Sequence, residues 1–217
     1  MIKKDKKSAE IIRPILRGKD ISRYQVNFAD LYLINSHNGI PLKNILPVDV
    51  KKYPAIKEHL DNYWLKIENR DDQGITPYNL RSCTYMEEFS KQKIVYREIS
   101  NKMDACLIKD EFFVNNKLYI ITGNLLKYLL GIINSSLFNR IILQNANITG
   151  GKGVDFLNQI HIPYVKENDK ITSLVSERLA CQSSKDKEII DKEIDIEVYH
   201  IYNLNDKEIE YLTTGKI

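Results

Sequence analysis

The chain has 217 residues, enough for one large domain or for one domain with a helical appendage. Its 43% hydrophobic and 28% charged residues are ordinary for a soluble globular protein, and no uncharged apolar run approaches 18 residues. Cys83, Cys106 and Cys181 lie far apart and outside any C-x-x-C pair, which supports neither a disulfide framework nor a zinc site. The lysine-rich start lacks the apolar segment of a signal peptide, so we expect a cytoplasmic protein with no membrane partner.

The first part of the chain is predicted to hold two extended segments and a helix. Residues 1–10 are nearly all charged and are expected to be disordered or a linker. The segments EIIRPILRG and FADLYLINS then have the composition of strands. From Tyr53 to Ile67 apolar residues recur every three or four positions, which predicts an amphipathic helix.

The middle of the chain is predicted to be a β-meander. The polar loop NRDDQGITPYNLRS comes first and is long enough to suggest a function. KQKIVYREIS, MDACLIKD and FFVNNKLYIIT follow as strands, the last folded on itself at its two asparagines, which tolerate left-handed backbone.

Helices predominate in the remaining part. NLLKYLLGIINSSLFNRIILQ has helical spacing, with a break at NSS that caps a second helix. The glycine-rich loop NANITGGKG and a short strand, QIHIPYV, precede two amphipathic helices. A short last helix is capped by Asn205 or Asp206.

Together these elements predict an α+β fold, with a mixed or antiparallel β-sheet body, packed helices and a C-terminal helical tail. We place the body at residues 11–167 and the tail, which packs on the body or on a partner domain, at residues 168–217. Residues 1–167 carry 25 Lys/Arg against 18 Asp/Glu, whereas the tail carries 7 against 11. A basic body that meets an anion fits this distribution, and so do two solvated surfaces.

The motifs of the common enzyme classes are absent from the chain. There is no G-x-G-x-x-G after a strand, no G-x-x-x-x-G-K-[ST], no H-E-x-x-H and no G-x-S-x-G. The segment TGGKG could cradle a phosphate through backbone amides, but it lacks the hydroxyl residue that follows the lysine of a phosphate-binding loop. We therefore predict no catalytic, cofactor or metal site in this chain.

Basic and aromatic residues on predicted loops and strand ends are the remaining functional signal. Arginine can fork onto guanine edges or phosphates, although any of these side chains could instead pair with Asp20, Asp72 or Glu98. The candidates for contact with DNA are Arg17, Lys19, Arg23, Arg70, Tyr78, Arg81, Lys93, Tyr96, Arg97, Lys102 and Lys152.

Five segments, in order, resemble the TaqI-like carboxy-terminal specificity domain of type II DNA methyltransferases and fused restriction-modification enzymes. They are IIRPILRGKDISRY, YPAIKEHLDNYWLKIENRDDQGITPYNLR, KIVYREIS, YLLGIINSSLFN and IDKEIDIEVYHIYNLNDKEIEYL. In that family the domain lies against the major groove of double-stranded DNA and reads the recognition sequence. The resemblance implies that residues 11–167 form a DNA target recognition domain.

The resemblance also implies a parent enzyme. In that family a separate amino-terminal domain binds S-adenosylmethionine and methylates an adenine flipped out of the duplex. Its catalytic asparagine-proline-proline-tyrosine motif and its cofactor motif are missing here, as is any nuclease domain. This chain would then be the DNA-reading part of a bacterial enzyme, with the methyltransferase domain in cis or as a partner chain, and with or without an endonuclease.

Some residue roles follow from the resemblance. It implies that a G-x-D-I-x-x-Y motif with Arg17, Gly18, Asp20, Ile21 and Tyr24 forms the entry into the domain, near the junction with the methyltransferase part. Gly18 permits a turn there, and Asp20 can hold a backbone amide or a neighbouring arginine. The better candidates for DNA contact are Arg70, Arg81, Lys93, Tyr96 and Arg97. Which base each residue reads varies within such families.

Two alternatives stay open. The first is the specificity subunit, or half-subunit, of a type I restriction-modification system, which normally has two recognition domains separated by long helices. The second is a non-catalytic protein-interaction module in which the acidic tail matters more than the basic body. Charge reversal of Arg70, Arg81 and Arg97 separates them, because DNA binding would fall for either kind of recognition domain and would be untouched in an interaction module.

Overall fold

The computed structural model describes most of the chain and divides it into two compact units. The described residues are 1–97, 103–109, 111–148, 160–164 and 170–214, with no side chain described over 145–148. The first unit comprises residues 1–15, 30–91 and 111–113, and the second comprises residues 16–29, 92–110 and 114–217.

The elements confirm an α+β fold with a C-terminal helical region. The strands are β1 (Ile12–Leu16), β2 (Ile21–Ser22), β3 (Gln25–Val26), β4 (Tyr32–Ile34), β5 (Lys93–Arg97), β6 (Ala105–Ile108), β7 (Phe113–Val114) and β8 (Leu118–Thr122). The α-helices are α1 (Pro54–Asp61), α2 (Trp64–Ile67), α3 (Leu126–Asn134), α4 (Ser136–Ile148), α5 (Lys170–Ala180), α6 (Ser184–Ile201) and α7 (Asp206–Thr214). Among the helices of the described residues, none has the length and apolar content needed to cross a membrane.

The first unit is built around a small apolar core. The core residues buried there are Ile11, Val50 and Ile56. β1 pairs antiparallel with β4, so that Ile12 lies opposite Ile34. Residues 6–10, inside the segment expected to be disordered or a linker, form a 3-10 helix whose N-cap is Asp5. The amino-terminal segment therefore has regular structure in this unit.

β5 is the central strand of the sheet in the second unit. It pairs antiparallel with β6 on one side and with β8 on the other. The predicted β-meander is therefore wrong in its strand order, and β7 and β8, predicted as one folded strand, belong to different sheets. Burial explains the central position of β5. Its residues 93–96 are all buried, and a strand in the middle of a sheet is the one best protected from water.

The helices of the second unit share one core with this sheet. The buried cluster includes Ile94 of β5, Ile132 of α3, Val175 of α5 and Ile194 of α6. A Cβ on Gly131 would lie 2.6 Å from Cγ2 of Ile171, so a glycine is required where α3 meets α5. The C-terminal helices thus pack on the sheet and helices of their own unit.

Two side chains of the NSS segment fix the corner between α3 and α4. Asn134 is buried, its Oδ1 accepts a hydrogen bond from the Ala105 amide at 3.0 Å, and its Nδ2 donates to the Ala105 carbonyl at 3.0 Å. The Ser135 hydroxyl accepts from the Phe138 amide at 3.2 Å and so caps α4. The predicted break is confirmed, and Asn134 also attaches the corner to strand β6.

Three local predictions differ from the structure. The helix predicted from Pro54 to Ile67 is interrupted after Asp61, because apolar spacing continues across one tight turn. α4 extends through the first residues of the predicted NANITGGKG loop, which contain no glycine or proline to end it. Residues 160–164 of the predicted QIHIPYV strand form no strand, consistent with a proline that cannot donate to a ladder.

We predict that Asn134→Ala lowers the free energy of unfolding by about 1–3 kcal/mol, because the buried Ala105 amide loses its acceptor. Asn134→Asp keeps an acceptor for that amide but faces the Ala105 carbonyl with a second oxygen. Asn134→Asp should therefore lower the free energy of unfolding less near pH 4 than near pH 7, since only a protonated carboxyl can donate to that carbonyl. Urea unfolding at both pH values checks this, and an Asn134→Ala variant as stable as the unchanged chain would contradict it.

Candidate nucleic-acid interface

The polar loop of residues 69–82 is an ordered platform in the first unit. Asn79 is buried at its centre, and its Nδ2 donates to the Val48 carbonyl at 2.9 Å. The Leu80 amide donates to the Ser36 carbonyl at 2.9 Å. The loop is therefore fastened to the unit by its own main chain and by a buried amide, and its exposed side chains stand on a fixed backbone.

Two candidate arginines of this loop are placed differently. Arg70 donates through Nη2 to the Asn79 carbonyl, so its guanidinium braces the loop from within. Arg81 is 72% exposed, and its Nη1 lies 3.3 Å from Oδ1 of Asp72, which is 73% exposed. Such an exposed ion pair contributes little to stability, and another anion can readily replace the carboxylate beside the arginine. Arg81 is therefore available to a phosphate or a base edge.

Tyr78, also on this loop, is tied to the first two helices. Its hydroxyl donates to Oδ1 of Asp61 at 2.6 Å, and this hydrogen bond raises the pKa of Tyr78. Nζ of Lys57 lies 5.5 Å from the Tyr78 ring centroid, and the Trp64 ring lies 5.3 Å from it. The helical spacing placed Trp64 on a buried face, whereas it is 36% exposed beside this tyrosine. The sequence pattern did not predict this cluster, because its members come from three separate elements.

Arg17 is used to build the turn at the start of the second unit. The Asp20 carboxylate accepts hydrogen bonds from the Arg17 amide at 2.8 Å, from its Nε at 3.0 Å and from its Nη2 at 2.9 Å. Asp20 is buried, and the Arg17 guanidinium holds the pKa of that carboxyl below its usual value. Of the two roles that the family resemblance implied for Asp20, a backbone amide or a neighbouring arginine, the structure shows both.

Arg97, at the end of β5, holds the same turn from the other side. Its Nε donates to the Gly18 carbonyl at 2.8 Å and its Nη2 donates to the Ile21 carbonyl at 2.5 Å. Its Nη1 also lies 3.8 Å from Oδ2 of Asp104. Each nitrogen of this guanidinium therefore faces an oxygen of the protein, two of them at hydrogen-bond distance.

Arg23 joins a charge cluster with the C-terminal helices of the second unit. Its Nη1 lies 3.1 Å from Oδ2 of Asp191, whose Oδ1 accepts from Nε of Arg178 at 2.8 Å. Both guanidinium groups lie over the Tyr24 ring, at 5.4 Å and 4.9 Å from its centroid. Burial raises the pKa of Tyr24. An arginine predicted to contact DNA thus pairs with the acidic tail, 168 residues away along the chain.

Two candidates on β5 lie in the interior. Lys93 has no exposed surface, and Tyr96 is 7% exposed and stacks on Tyr119 with 5.6 Å between ring centroids. Burial raises the pKa of Tyr96 to about 12. A duplex reaches neither side chain without a rearrangement. Lys19, by contrast, is exposed on the turn that Asp20 fixes.

The structure divides the predicted residues between its two units. Arg70, Tyr78 and Arg81 belong to the first unit, and the second holds Arg17, Lys19, Arg23, Lys93, Tyr96 and Arg97. Lys102 and Lys152 lie outside the described residues. Over the residues that are described, no group of three or more His, Cys, Asp or Glu side chains is placed to hold a metal ion.

Comparison with known proteins gives a family and a fold. The family of the TaqI-like C-terminal specificity domain matches residues 13–161, whereas no curated protein matches the chain. Among solved structures, the Type IIL restriction-modification enzyme MmeI in complex with DNA has a similar fold, with a TM-score of 0.55 and 10% sequence identity. The likeness covers 98% of this chain and 31% of that one, so the chain spans about a third of MmeI. Because the family match covers well over half of its residues, this chain belongs to the TaqI-like C-terminal specificity domains.

Proposed function

We propose that the chain recognises a DNA sequence as the target recognition domain of a restriction-modification enzyme. The family match over residues 13–161 carries this proposal. The fold shared with MmeI, which was solved in complex with DNA, supports it. The body's excess of Lys/Arg over Asp/Glu fits a polyanionic partner.

The loop of residues 69–82 is the part best suited to reading bases. Arg81 stands on a backbone already fixed by Asn79, so no backbone entropy needs to be lost when its guanidinium forks onto guanine or a phosphate. Lys19 on the turn of the second unit supplies a compact charge for a phosphate. Arg17 and Arg97 have a positioning role, because their donors hold the turn that carries Lys19.

The parent enzyme that we propose is a type II adenine-specific DNA methyltransferase, with or without a fused endonuclease, in the bacterial cytoplasm. The resemblance of five segments to the specificity domains of such enzymes supports this assignment. S-adenosylmethionine would bind to the methyltransferase domain, in cis or as a partner chain, where it supplies the methyl group. The residues of this chain would contribute the choice of site rather than the chemistry.

Selection from a random duplex pool tests the proposal. We expect the chain, alone or with its methyltransferase partner, to enrich one short sequence. Its affinity for that duplex should exceed its affinity for a scrambled duplex by a factor of about 10³ or more. A pool that stays random after repeated rounds, with and without the partner, would rule out sequence recognition.

Arg81→Ala should weaken binding to the selected duplex by about 5- to 150-fold, the equivalent of about 1–3 kcal/mol for one bidentate base contact. The free energy of unfolding of this variant should be unchanged, because Asp72, the partner of Arg81, is as exposed as Arg81 itself. Fluorescence anisotropy and urea unfolding measure the two quantities. The matched control is Lys185→Ala at an exposed position of α6, which removes the same charge and should bind like the unchanged chain. Equal losses in both variants would contradict a role for Arg81.

Asp20→Asn should make the protein less stable in a pH-dependent way. The pKa of Asp20 is lowered in the folded protein by Arg17, so its contribution is fully present above the unfolded value of about 3.9 and is lost as pH falls through the folded value. The difference in unfolding free energy between the unchanged chain and Asp20→Asn should therefore be largest near pH 7 and should narrow below about pH 4. A difference that does not depend on pH would show that the ion pair is not its source.

A further inference from the structure

A lysine-rich surface lies where the amino-terminal segment meets the start of α1, within the first unit. Nζ of Lys4 lies 2.7 Å from Oε1 of Glu58, and Nζ of Lys7 lies 5.2 Å from the centroid of the Tyr53 ring. The Tyr53 hydroxyl donates to Oε2 of Glu10 at 3.0 Å. These contacts bring residues 1–13 against residues 49–58, and we call this the lysine surface.

The lysine surface is carried by an ordered backbone. Asp5 caps the 3-10 helix of residues 6–10, and Ser8 inside that helix is fully buried. The Arg13 guanidinium donates through Nη1 and Nη2 to the carbonyls of Ala9 and Glu10, which closes the other end of the helix. A second short helix, Val50–Lys52, is capped by Asp49. Lys6, Lys51 and Lys52 lie on these two helices, and Lys3 lies in the turn that the Asp5 amide closes by donating to the Met1 carbonyl at 3.0 Å.

Four lysines of this surface form no ion pair within the part of the chain that the structure describes. They are Lys3, Lys6, Lys51 and Lys52, and all four are exposed. Residues 1–13 and 49–58 together carry eight Lys/Arg and four Asp/Glu, a net charge of +4 that exceeds the +3 of the entire chain. A region with this excess of positive charge attracts a polyanion, and the repulsion between its cations is costly without one.

We propose that the lysine surface contacts the phosphate backbone of the duplex that the chain recognises. This inference rests on the proposed function and adds a second kind of contact to it. Lysine is a compact point charge that suits phosphate contact, whereas base edges are better read by a forked guanidinium such as that of Arg81. The lysine surface would thus supply affinity that does not depend on sequence, and the loop of residues 69–82 would supply the choice of site.

The test compares two variants of the full chain that each lose four positive charges. One changes Lys3, Lys6, Lys51 and Lys52 to Gln, and the control changes Lys185, Lys187, Lys192 and Lys207 of the acidic tail to Gln. Affinity for the selected duplex and for a scrambled duplex is measured by anisotropy between 50 and 200 mM salt, after urea unfolding has shown that both variants are folded. The plot of log affinity against log salt has a slope of about −0.9 for each phosphate contacted.

The lysine-surface variant should lose about 0.9 in slope for each contact removed, up to about 3.6, with the same fractional loss on both duplexes. The tail variant should keep the original slope. Equal changes in both variants would overturn the proposal, because net charge alone would explain them. An unchanged slope in the lysine-surface variant, with the selected duplex still preferred, would overturn it and leave the proposed function standing. Failure of the unchanged chain to bind any duplex would overturn both.

Vesicles containing phosphatidylserine provide the remaining arm of the test. A duplex contact predicts that the unchanged chain and the lysine-surface variant bind these vesicles equally weakly. Strong vesicle binding that is lost in the lysine-surface variant, together with an unchanged duplex slope, would assign the surface to anionic lipid and overturn the proposal.

Discussion

The Arg97 guanidinium donates hydrogen bonds to two main-chain carbonyls, those of Gly18 and Ile21. The start of the second unit depends on these two hydrogen bonds. Arg17 adds a fork to the buried Asp20 carboxylate, so the same turn is held by two arginines and one acid. An arginine whose donors are already satisfied inside a protein has few left for DNA, and releasing it would leave a buried carboxylate or carbonyl unpaired. Arg17 and Arg97 therefore stabilise the turn at the start of the second unit.

Two groups of cations in the first unit suit two kinds of contact with DNA. Arg81 stands on a loop fixed by buried Asn79 and has the geometry for a base edge or a phosphate. On the lysine surface, Lys6, Lys51 and Lys52 are point charges on two short capped helices, and Lys3 lies in the turn before the first helix. Phosphate contacts position a protein on DNA and base contacts specify the site, so these two groups within the first unit divide the task as we propose it. In the second unit, Asp191 of α6 pairs with both Arg23 and Arg178. These ion pairs stabilise the packing of the acidic C-terminal helices in their own unit.

Local signals in the sequence predicted the helical part of this fold well. The break at NSS was found because asparagine and serine cap helices, and α6 was found because Ile190, Ile194 and Val198 share one face. Asn205 caps α7 as expected, accepting from the amides of Lys207 and Glu208 at 3.1 Å. These features depend on residues three or four positions apart, which a single sequence displays directly.

The parts that were missed depend on residues far apart in the chain. The order β6-β5-β8 is set by burial of β5 from both sides, which no strand shows alone. Lys93 was placed on a DNA surface by its charge, whereas tertiary packing covers it completely. Arg23 was assigned to DNA because its partner Asp191 lies 168 residues away. For Arg17 the sequence left open a pair with Asp20 or a contact with DNA, and only the geometry of the buried carboxylate decides it.

Amide hydrogen exchange with and without the selected duplex tests most directly whether the loop of residues 69–82 and the lysine surface contact the DNA. We expect slower exchange on binding in residues 1–13, 49–58 and 69–82, with the exchange of α5 and α6 unchanged. In this account the loop and the lysine surface of the first unit contact DNA, and the arginines of the second unit stabilise the fold. Slower exchange confined to α5 and α6, with none in the first unit, would contradict it.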